Sequence, residues 1–276
     1  MEWREIDLPD LPWVPHGLSG RLRGLPSWAA RAAAEARFAG EVADFTTTLA
    51  QGPHRLVADL PPGEGRGVLV IPGFGFGDAA TTPLQLVLKA AGYRVFLSRI
   101  RWNVRCPDDH VSDLVPVAEE CFELNGRKPL LVVGHSRGGM LGRGLAVRRP
   151  DLIGRTIAMG SPLNYEFAFY ELPVPLVGAM TSVYHADPAR RALQCCTPQC
   201  QCPYMRAAHS PLPDGIDLVS LYTRADGIVD WRSCVVPGAT NVEVPGTHLG
   251  MGMRPATLRL VVQLLANADN RTATGT

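Results

Sequence analysis

One short stretch decides the fold: GHSRGG at residues 134–139, which directly follows the apolar run at residues 130–133. A serine stands between a histidine and an arginine, with one glycine before this group and two after it. The pattern G-x-S-x-G is typical of a strand that turns sharply into a helix and holds its serine at the turn. The stretch therefore predicts a nucleophilic serine at position 136, and a purely structural turn is the alternative.

The glycines around Ser136 have a steric explanation. A tight strand-to-helix turn strains the backbone at the serine, and side chains two positions to either side would collide with neighbouring backbone. Gly134 and Gly138 occupy those two positions. The helix that follows points its N-terminus at the serine, where backbone amides favour developing negative charge.

Apolar strands alternate with helices on both sides of this turn. Strands are predicted at residues 68–71, 93–97, 130–133, 153–159, 217–222 and 241–244, and helices at residues 82–91, 108–124, 138–148 and 257–266. Such an alternation forms a parallel sheet through right-handed crossovers, and strands covered on both faces are apolar throughout. The chain is predicted to be an α/β protein with a mostly parallel central sheet and helices on both faces.

Two segments fall outside the alternation. Residues 1–60 predict an N-terminal arm and a helix from Ser27 to Gly52-Pro53 that packs on the core, and a membrane-surface helix is the alternative. Residues 162–213 are rich in proline, aromatic residues and cysteine. We interpret them as a cap or lid inserted over the site, so that residues 61–161 and 214–276 form the core.

A serine hydroxyl is a weak nucleophile until a base takes its proton. In this architecture the order along the chain is serine, acid and histidine. His248 follows the last predicted strand within the stretch PGTHLG, so we expect it at the same sheet edge as Ser136. His209 precedes the strand at residues 217–222 and is the weaker candidate for the base.

The acid is expected just beyond the strand at residues 217–222. Asp226 follows that strand by a short turn, and Gly227 lets the backbone bend there. An acid at this place binds the far nitrogen of the imidazole, fixes its tautomer and stabilises the imidazolium. Asp230 lies farther along the loop and is the alternative.

Two backbone amides are expected to bind the oxyanion. One belongs to Arg137, directly after the serine, and the other to Phe74 in the glycine-rich loop at residues 72–77, with Gly75 as the alternative. A phosphate-binding loop is disfavoured because the stretch fits neither G-x-x-x-x-G-K-[ST] nor G-x-G-x-x-G. The Arg137 side chain is expected to pair with the cap or the histidine loop, and binding of a substrate carboxylate is the alternative.

Four stretches in this order resemble the α/β-hydrolase superfamily: IPGFGFGD, GHSRGG, YTRADGIVDWR and GTHLGM. The chain looks most like actinobacterial lipase/esterase-like serine hydrolases with a GHSRGG nucleophile elbow, over roughly residues 66–265. The resemblance implies the α/β-hydrolase fold with a cap insertion. It implies Ser136 as nucleophile, Asp226 as acid and His248 as base, with the amides of Phe74 and Arg137 as the oxyanion hole.

The predicted function is cleavage of carboxylic esters by a lipase or esterase through an acyl-enzyme intermediate. A thioesterase, acyltransferase or cyclase that releases a thioester-bound chain is the first alternative, and a non-catalytic hydrolase-fold scaffold is the second. Five side chains are predicted to bind a hydrophobic acyl group: Phe76, Tyr165, Phe167, Phe169 and Leu249. For the aromatic residues of the cap, packing against the edge of the sheet is the alternative.

Composition limits the partners and the compartment. The net charge of +1 over 276 residues gives no strong field for nucleic acid. No metal or organic cofactor is expected, because CCTPQCQC at residues 195–202 lacks the paired C-x-x-C spacing of a zinc site. Its cysteines are expected as disulfides or free thiols, according to the compartment. With no signal peptide visible and no apolar run of about 18 residues, a cytoplasmic protein is expected, and secretion is the alternative. Contact with a membrane surface or a carrier protein is a further expectation for its partners.

Overall fold

The computed structural model describes residues 27–164, 202–208 and 213–268. Most of the segment predicted to be a cap falls outside these ranges. Tyr165, Phe167 and Phe169 therefore lie outside the described residues, as do His209 and the cysteines at positions 195, 196 and 200.

The described chain is built on a six-stranded parallel sheet. Its strands are β1 (Gly67–Ile71), β2 (Arg94–Leu97), β3 (Leu130–His135), β4 (Ile153–Met159), β5 (Leu218–Tyr222) and β6 (Thr240–Glu243). The strand order is β2-β1-β3-β4-β5-β6, and each neighbouring pair runs parallel. The predicted strands are confirmed: β4 has the predicted bounds, and the ends of the other strands differ by at most two residues.

Helices cover both faces of this sheet. After the N-terminal segment they are α4 (Thr82–Ala90), α5 (Pro107–Leu124), α6 (Arg137–Arg148), α7 (Pro203–Ala208) and α8 (Pro255–Ala266). Successive residues of β1 point to opposite faces, so Leu69 and Ile71 pack with α5 and α6 while Val68 and Val70 pack with α4 and α8. The prediction of a sheet with helices on both faces is confirmed.

The N-terminal segment is divided into three helices, α1 (Ser27–Glu35), α2 (Phe38–Gln51) and α3 (Pro53–Val57). The single helix predicted from Ser27 to Gly52-Pro53 is therefore wrong in its continuity. The unpredicted break lies at Ala36 and Arg37, where the backbone forms a turn and the Arg37 amide donates to the carbonyl of Ala34 at 3.3 Å. The predicted end at Gly52-Pro53 is confirmed: Gly52 has φ 93°, and Pro53 begins α3 because its fixed φ suits a first helical position. Phe45 and Val57 are buried in the same core cluster as α4 and α8.

The connections around β1 locate the crevice of the fold. From β1 the chain crosses to β2 on one side and then returns to β3 on the other side. Ligands of open α/β sheets bind where the strand order reverses in this way, outside the carboxyl ends of the strands. Ile71 and Gly134 are paired at the ends of β1 and β3, so the loop at residues 72–77 and the turn at Ser136 leave the sheet side by side.

Candidate active site

Ser136 occupies a strained turn between β3 and α6. Its backbone has φ 53° and ψ −124°, a conformation that a residue with a side chain rarely adopts. Its amide donates to the carbonyl of Met159 at 2.7 Å, which ties the turn to the end of β4. Strain of this kind persists only where the surrounding structure enforces it, and it is frequent at functional sites.

The glycines around the turn are required by close backbone contacts. A Cβ atom at Gly134 would lie 2.3 Å from the carbonyl carbon of Gly138. A Cβ atom at Gly138 would lie 2.2 Å from the carbonyl oxygen of Ile71. Both distances are far below any contact that real Cβ atoms make, so the steric explanation given for these two glycines is confirmed.

His248 and Asp226 form a buried hydrogen-bonded pair. Nδ1 of His248 lies 2.6 Å from Oδ2 of Asp226, and their side chains are 3% and 1% exposed. The other carboxylate oxygen of Asp226 accepts the amides of Ile228 at 2.9 Å and Val229 at 2.7 Å. With Nδ1 donating to the carboxylate, Nε2 is the imidazole nitrogen that can accept a proton.

The surroundings of His248 raise its pKa above 6.5, the ordinary value. Burial acts in the opposite direction, because it disfavours the charged imidazolium. The negative charge and hydrogen bond of Asp226 outweigh burial, and the charge of Glu35 adds to them. The two carboxylates therefore stabilise the imidazolium that forms when the His248 ring takes a proton.

The imidazole of His248 lies at the same edge of the sheet as Ser136. A Cβ atom at Gly160 would lie 3.2 Å from Nδ1 of His248, and Gly160 directly follows the residue whose carbonyl accepts the Ser136 amide. Within the described ranges, however, the Ser136 hydroxyl makes no hydrogen bond to His248. Catalytic hydrogen bonds are often long without substrate and shorten in the complex.

His135 supports the histidine loop from the turn itself. Its Nε2 donates to the carbonyl of His248 at 2.9 Å, and the two rings are 5.1 Å apart. Burial, together with the neighbouring His248, lowers the pKa of His135 to about 4. A pKa of about 4 makes His135 a weak base, and its Nε2 proton is engaged, so His135 braces the loop and is unsuited to act as a second base.

The loop at residues 72–77 has a backbone amide that no described residue accepts. Gly75 donates its amide to the carbonyl of Asn103 at 3.0 Å, and Phe76 donates to Gly73 at 3.2 Å. In the described part of the chain the amide of Phe74 has no such partner. A Cβ atom at Gly73 would lie 3.4 Å from Cβ of Ser136, so this loop lies against the turn. The geometry thus favours Phe74 over Gly75 as the second oxyanion donor.

Comparison with known proteins bears on the fold. No family model and no curated protein matches the chain. The mature Bacillus licheniformis lipase BlEst2 matches with a TM-score of 0.54 and 16% identity, over 75% of this chain and 94% of its own. A highly thermostable carboxyl esterase from Bacillus coagulans, solved with glycerol, matches with a TM-score of 0.50 and 14% identity, over 76% and 91%. The chain has the α/β-hydrolase fold. The predicted fold class is confirmed.

This α/β-hydrolase fold brings three of the predicted side chains to one edge of the sheet. Ser136 follows β3, Asp226 follows β5 and His248 follows β6. The amide of Arg137 lies at the first position of α6, where a helix has no internal acceptor for its N–H groups. The structure thus places the residues predicted for the nucleophile, the acid, the base and one oxyanion amide at the same edge of the sheet, and of these Asp226 and His248 are in direct contact.

The predicted pairing of Arg137 with the histidine loop is wrong, and its predicted pairing with the cap stays a prediction because most of that segment lies outside the described residues. It is buried, donates to the carbonyl of Arg105 and lies over the ring of Phe74, with 5.4 Å between the guanidinium and the ring centroid. Within the described ranges it forms no ion pair, so a salt bridge with the histidine loop is not observed. The side chain instead supports the Phe74 loop, whose amide is the candidate oxyanion donor.

Two of the residues predicted to bind the acyl group are described. Phe76 is 52% exposed at the tip of its loop, and Leu249 is half-buried directly after His248. Neither makes a contact that identifies an acyl pocket. In the described residues no helix is long and apolar enough to cross a membrane, and no group of three or more His, Cys, Asp or Glu side chains is arranged to hold a metal ion.

Two buried carboxylates at the site were missed from the sequence. Glu35 and Glu41 are 9% and 5% exposed, and both contact the histidine loop. Glu41 stands three residues after Phe38 and four before Phe45, so it falls on the apolar face of α2. An acidic residue inside such a face is the signal that could have identified it. Glu35 carries no comparable signal, because it lies at the end of α1.

Proposed function

We propose that this chain is a serine hydrolase that cleaves carboxylic esters, of the lipase or esterase type, with Ser136, His248 and Asp226 as its triad. The observation that carries the proposal is the buried pair of His248 and Asp226, held at the sheet edge where Ser136 occupies its strained turn. A carboxylate that fixes the imidazole tautomer, beside a serine in this conformation, is the arrangement that acyl transfer requires.

In the first half of the reaction, Nε2 of His248 takes the proton of the Ser136 hydroxyl. The Ser136 oxygen forms a bond to the ester carbonyl carbon, and the carbonyl π electrons move onto its oxygen. The amides of Arg137 and Phe74 donate to this oxyanion. Asp226 stabilises the imidazolium, which is why its hydrogen bond to Nδ1 matters more in the transition state than before it.

The tetrahedral intermediate then collapses. Its carbonyl double bond re-forms, the bond to the leaving alcohol breaks, and the imidazolium gives its proton to that alcohol. In the second half, His248 takes a proton from water, and the resulting hydroxide adds to the acyl-enzyme carbonyl. Collapse of this second intermediate releases the carboxylic acid, and Ser136 regains its proton from His248. No redox partner is needed, because every bond is broken and formed heterolytically.

The proposed substrate is a small hydrophobic acyl ester. Phe76 supports this because half of a large apolar side chain is exposed beside the candidate oxyanion loop, and Leu249 lies directly after the proposed base. The acyl-binding roles of Tyr165, Phe167 and Phe169 stay predictions. The division into a cap at residues 162–213 and a core at residues 61–161 and 214–276 also stays a prediction. Four further expectations also stay predictions. They are the arm at residues 1–60, the resemblance to actinobacterial hydrolases, a cytoplasmic location, and contact with a membrane surface or carrier protein.

A series of p-nitrophenyl esters of increasing acyl length, run beside the matching acyl thioesters, tests the reaction class. We expect short to medium esters to be cleaved by the wild type and not by Ser136→Ala. Cleavage of thioesters alone would overturn the ester proposal and favour a thioesterase or acyltransferase. A folded protein that cleaves neither would favour a scaffold.

A further inference from the structure

One carboxylate from the N-terminal segment contacts both loops of the proposed acid and base. Oε1 of Glu35 accepts the amide of Gly227 at 2.9 Å and the amide of His248 at 3.0 Å. Oε2 of Glu35 accepts the amide of Leu249 at 3.2 Å. Gly227 directly follows Asp226, so this single side chain joins the acid loop to the histidine loop across about 200 residues of sequence, as the separations of 192 and 213 show.

The fit of Glu35 against the acid loop is close. A Cβ atom at Gly227 would lie 2.8 Å from Cγ of Glu35 and 2.7 Å from the carbonyl oxygen of Arg31. The contact therefore requires a glycine directly after Asp226. In the described part of the chain no basic side chain pairs with Glu35. Its buried charge is balanced by three backbone N–H groups and by the imidazole of His248 when that ring is protonated.

Glu41 contacts the same histidine loop in a different way. Its carboxylate accepts the amide of Thr247 at 3.0 Å and the hydroxyl of Thr247 at 2.6 Å, and it pairs with Arg254 at 3.4 Å. A Cβ atom at Gly250 would overlap the Glu41 carboxylate. Glu41 is thus a second buried carboxylate of the N-terminal segment, but it contacts neither His248 nor the acid loop and has its own cation.

We propose that Glu35 is a positioning residue of the active site, which fixes the acid loop against the histidine loop and stabilises the protonated form of His248 by its charge. This inference rests on the proposed function for its catalytic meaning. Its structural part does not depend on catalytic activity: Glu35 of α1, a helix that precedes the sheet in sequence, holds the acid loop and the histidine loop together.

The charge effect follows from the groups that face His248. Asp226 faces it from the loop after β5, Glu35 from α1, and His135 from the end of β3. His135 has a pKa of about 4 and is uncharged where His248 titrates. Asp226 and Glu35 both raise the pKa of His248 against the effect of burial. Neutralising Glu35 should therefore lower the pKa of His248.

Three variants separate position from charge. E35Q removes the charge and keeps an oxygen for the amides of Gly227 and His248, but it loses the acceptor for the amide of Leu249. E35D keeps the charge but shortens the side chain, so its carboxylate no longer reaches both loops. E41Q is the matched control, because it also neutralises a buried carboxylate of the N-terminal segment that contacts the histidine loop.

The titration of the His248 imidazole is followed by NMR in each intact variant, with its signals assigned by their loss in H248Q. The pH profile of kcat/KM is measured on the ester that the wild type cleaves best. We expect His248 in E35Q to titrate at lower pH than in the wild type, and the acidic limb of the profile to move the same way. E41Q should move both less than E35Q does, because the charge of Glu41 is paired with Arg254 and its carboxylate accepts from Thr247 rather than from His248. In E35D, kcat should fall by up to about 100-fold, the cost of a misplacement of about 1 Å.

A folded E35Q with the wild-type His248 titration would overturn the charge effect, and a folded E35D with wild-type kcat would overturn the positioning role. If E35Q does not fold, E35D still decides the positioning role. If the wild type has no esterase activity, the proposed function fails, while the NMR comparison of wild type, E35Q and E41Q still decides whether Glu35 stabilises protonated His248.

Discussion

Oδ2 of Asp226 lies 2.6 Å from Nδ1 of His248, although the two residues come from different loops, after β5 and after β6. Both side chains are almost completely buried. The tautomer of His248 is therefore set before any substrate binds, and Nε2 is the nitrogen that can accept a proton, which in the proposed mechanism comes from Ser136. Because the pair is preorganised in this way, we interpret this edge of the sheet as a candidate active site and not as ordinary structural packing.

Replacement of Asp226 by asparagine should lower kcat by about 10⁴-fold, because the amide favours the wrong imidazole tautomer. The oxygen of the new carboxamide can still accept the amides of Ile228 and Val229, so the fold should survive. Steady-state kinetics on a cleaved ester, with circular dichroism to verify folding, measures the effect. A folded D226N with nearly full kcat would assign the acid to another residue, and D230N is the matched control for that assignment.

The pH dependence of kcat/KM should have an acidic limb set by His248. The base must be neutral to take the serine proton, so activity rises as pH increases through its pKa. Since Asp226 and Glu35 raise that pKa, half-maximal kcat/KM should lie above pH 6.5, the ordinary value for histidine. Rates on one ester between pH 5 and 9 measure the limb, and His135, with its pKa of about 4, does not contribute there. A limb well below 6.5 would show that burial outweighs the two carboxylates.

Substitution of Gly138 by alanine should destabilise the fold by about 2 kcal/mol or more, because the new methyl group meets backbone that cannot move aside. Its Cβ would lie 2.2 Å from the carbonyl oxygen of Ile71. The exposed helical Gly40 has nothing within 4 Å of its Cβ position, so Gly40→Ala should instead stabilise by about 0.5–1 kcal/mol. Urea unfolding of both variants measures the contrast, and equal stabilities would contradict the steric account of the turn.

The sheet and its turn were predictable from sequence because local patterns specify them. Short apolar runs predict buried strands, and β1 and β3 contain the runs at residues 68–71 and 130–133 from which they were predicted. The motif at residues 134–139 predicts the turn at Ser136, since only glycine fits where two backbone segments nearly touch. The order of acid and histidine after the serine predicted the loops that the structure joins through Asp226 and His248.

The contribution of the N-terminal segment was not predictable in the same way. The contacts of Glu35 and Glu41 span 192 to 214 residues, and periodicity within a helix reports only which face is apolar. The choice between Phe74 and Gly75 also needed coordinates. It depends on the carbonyl of Asn103, which engages the Gly75 amide from a separate loop.

The most direct test of the account is the reaction of the folded protein with a fluorophosphonate probe, followed by intact mass and by peptide mapping. Such a probe reacts with a serine whose proton a neighbouring base removes. We predict one adduct in the wild type, located on Ser136, no adduct in Ser136→Ala, and much slower labelling in His248→Gln. A folded wild-type protein that stays unlabelled, or an adduct on any other residue, would contradict the proposal that Ser136 is the nucleophile activated by His248.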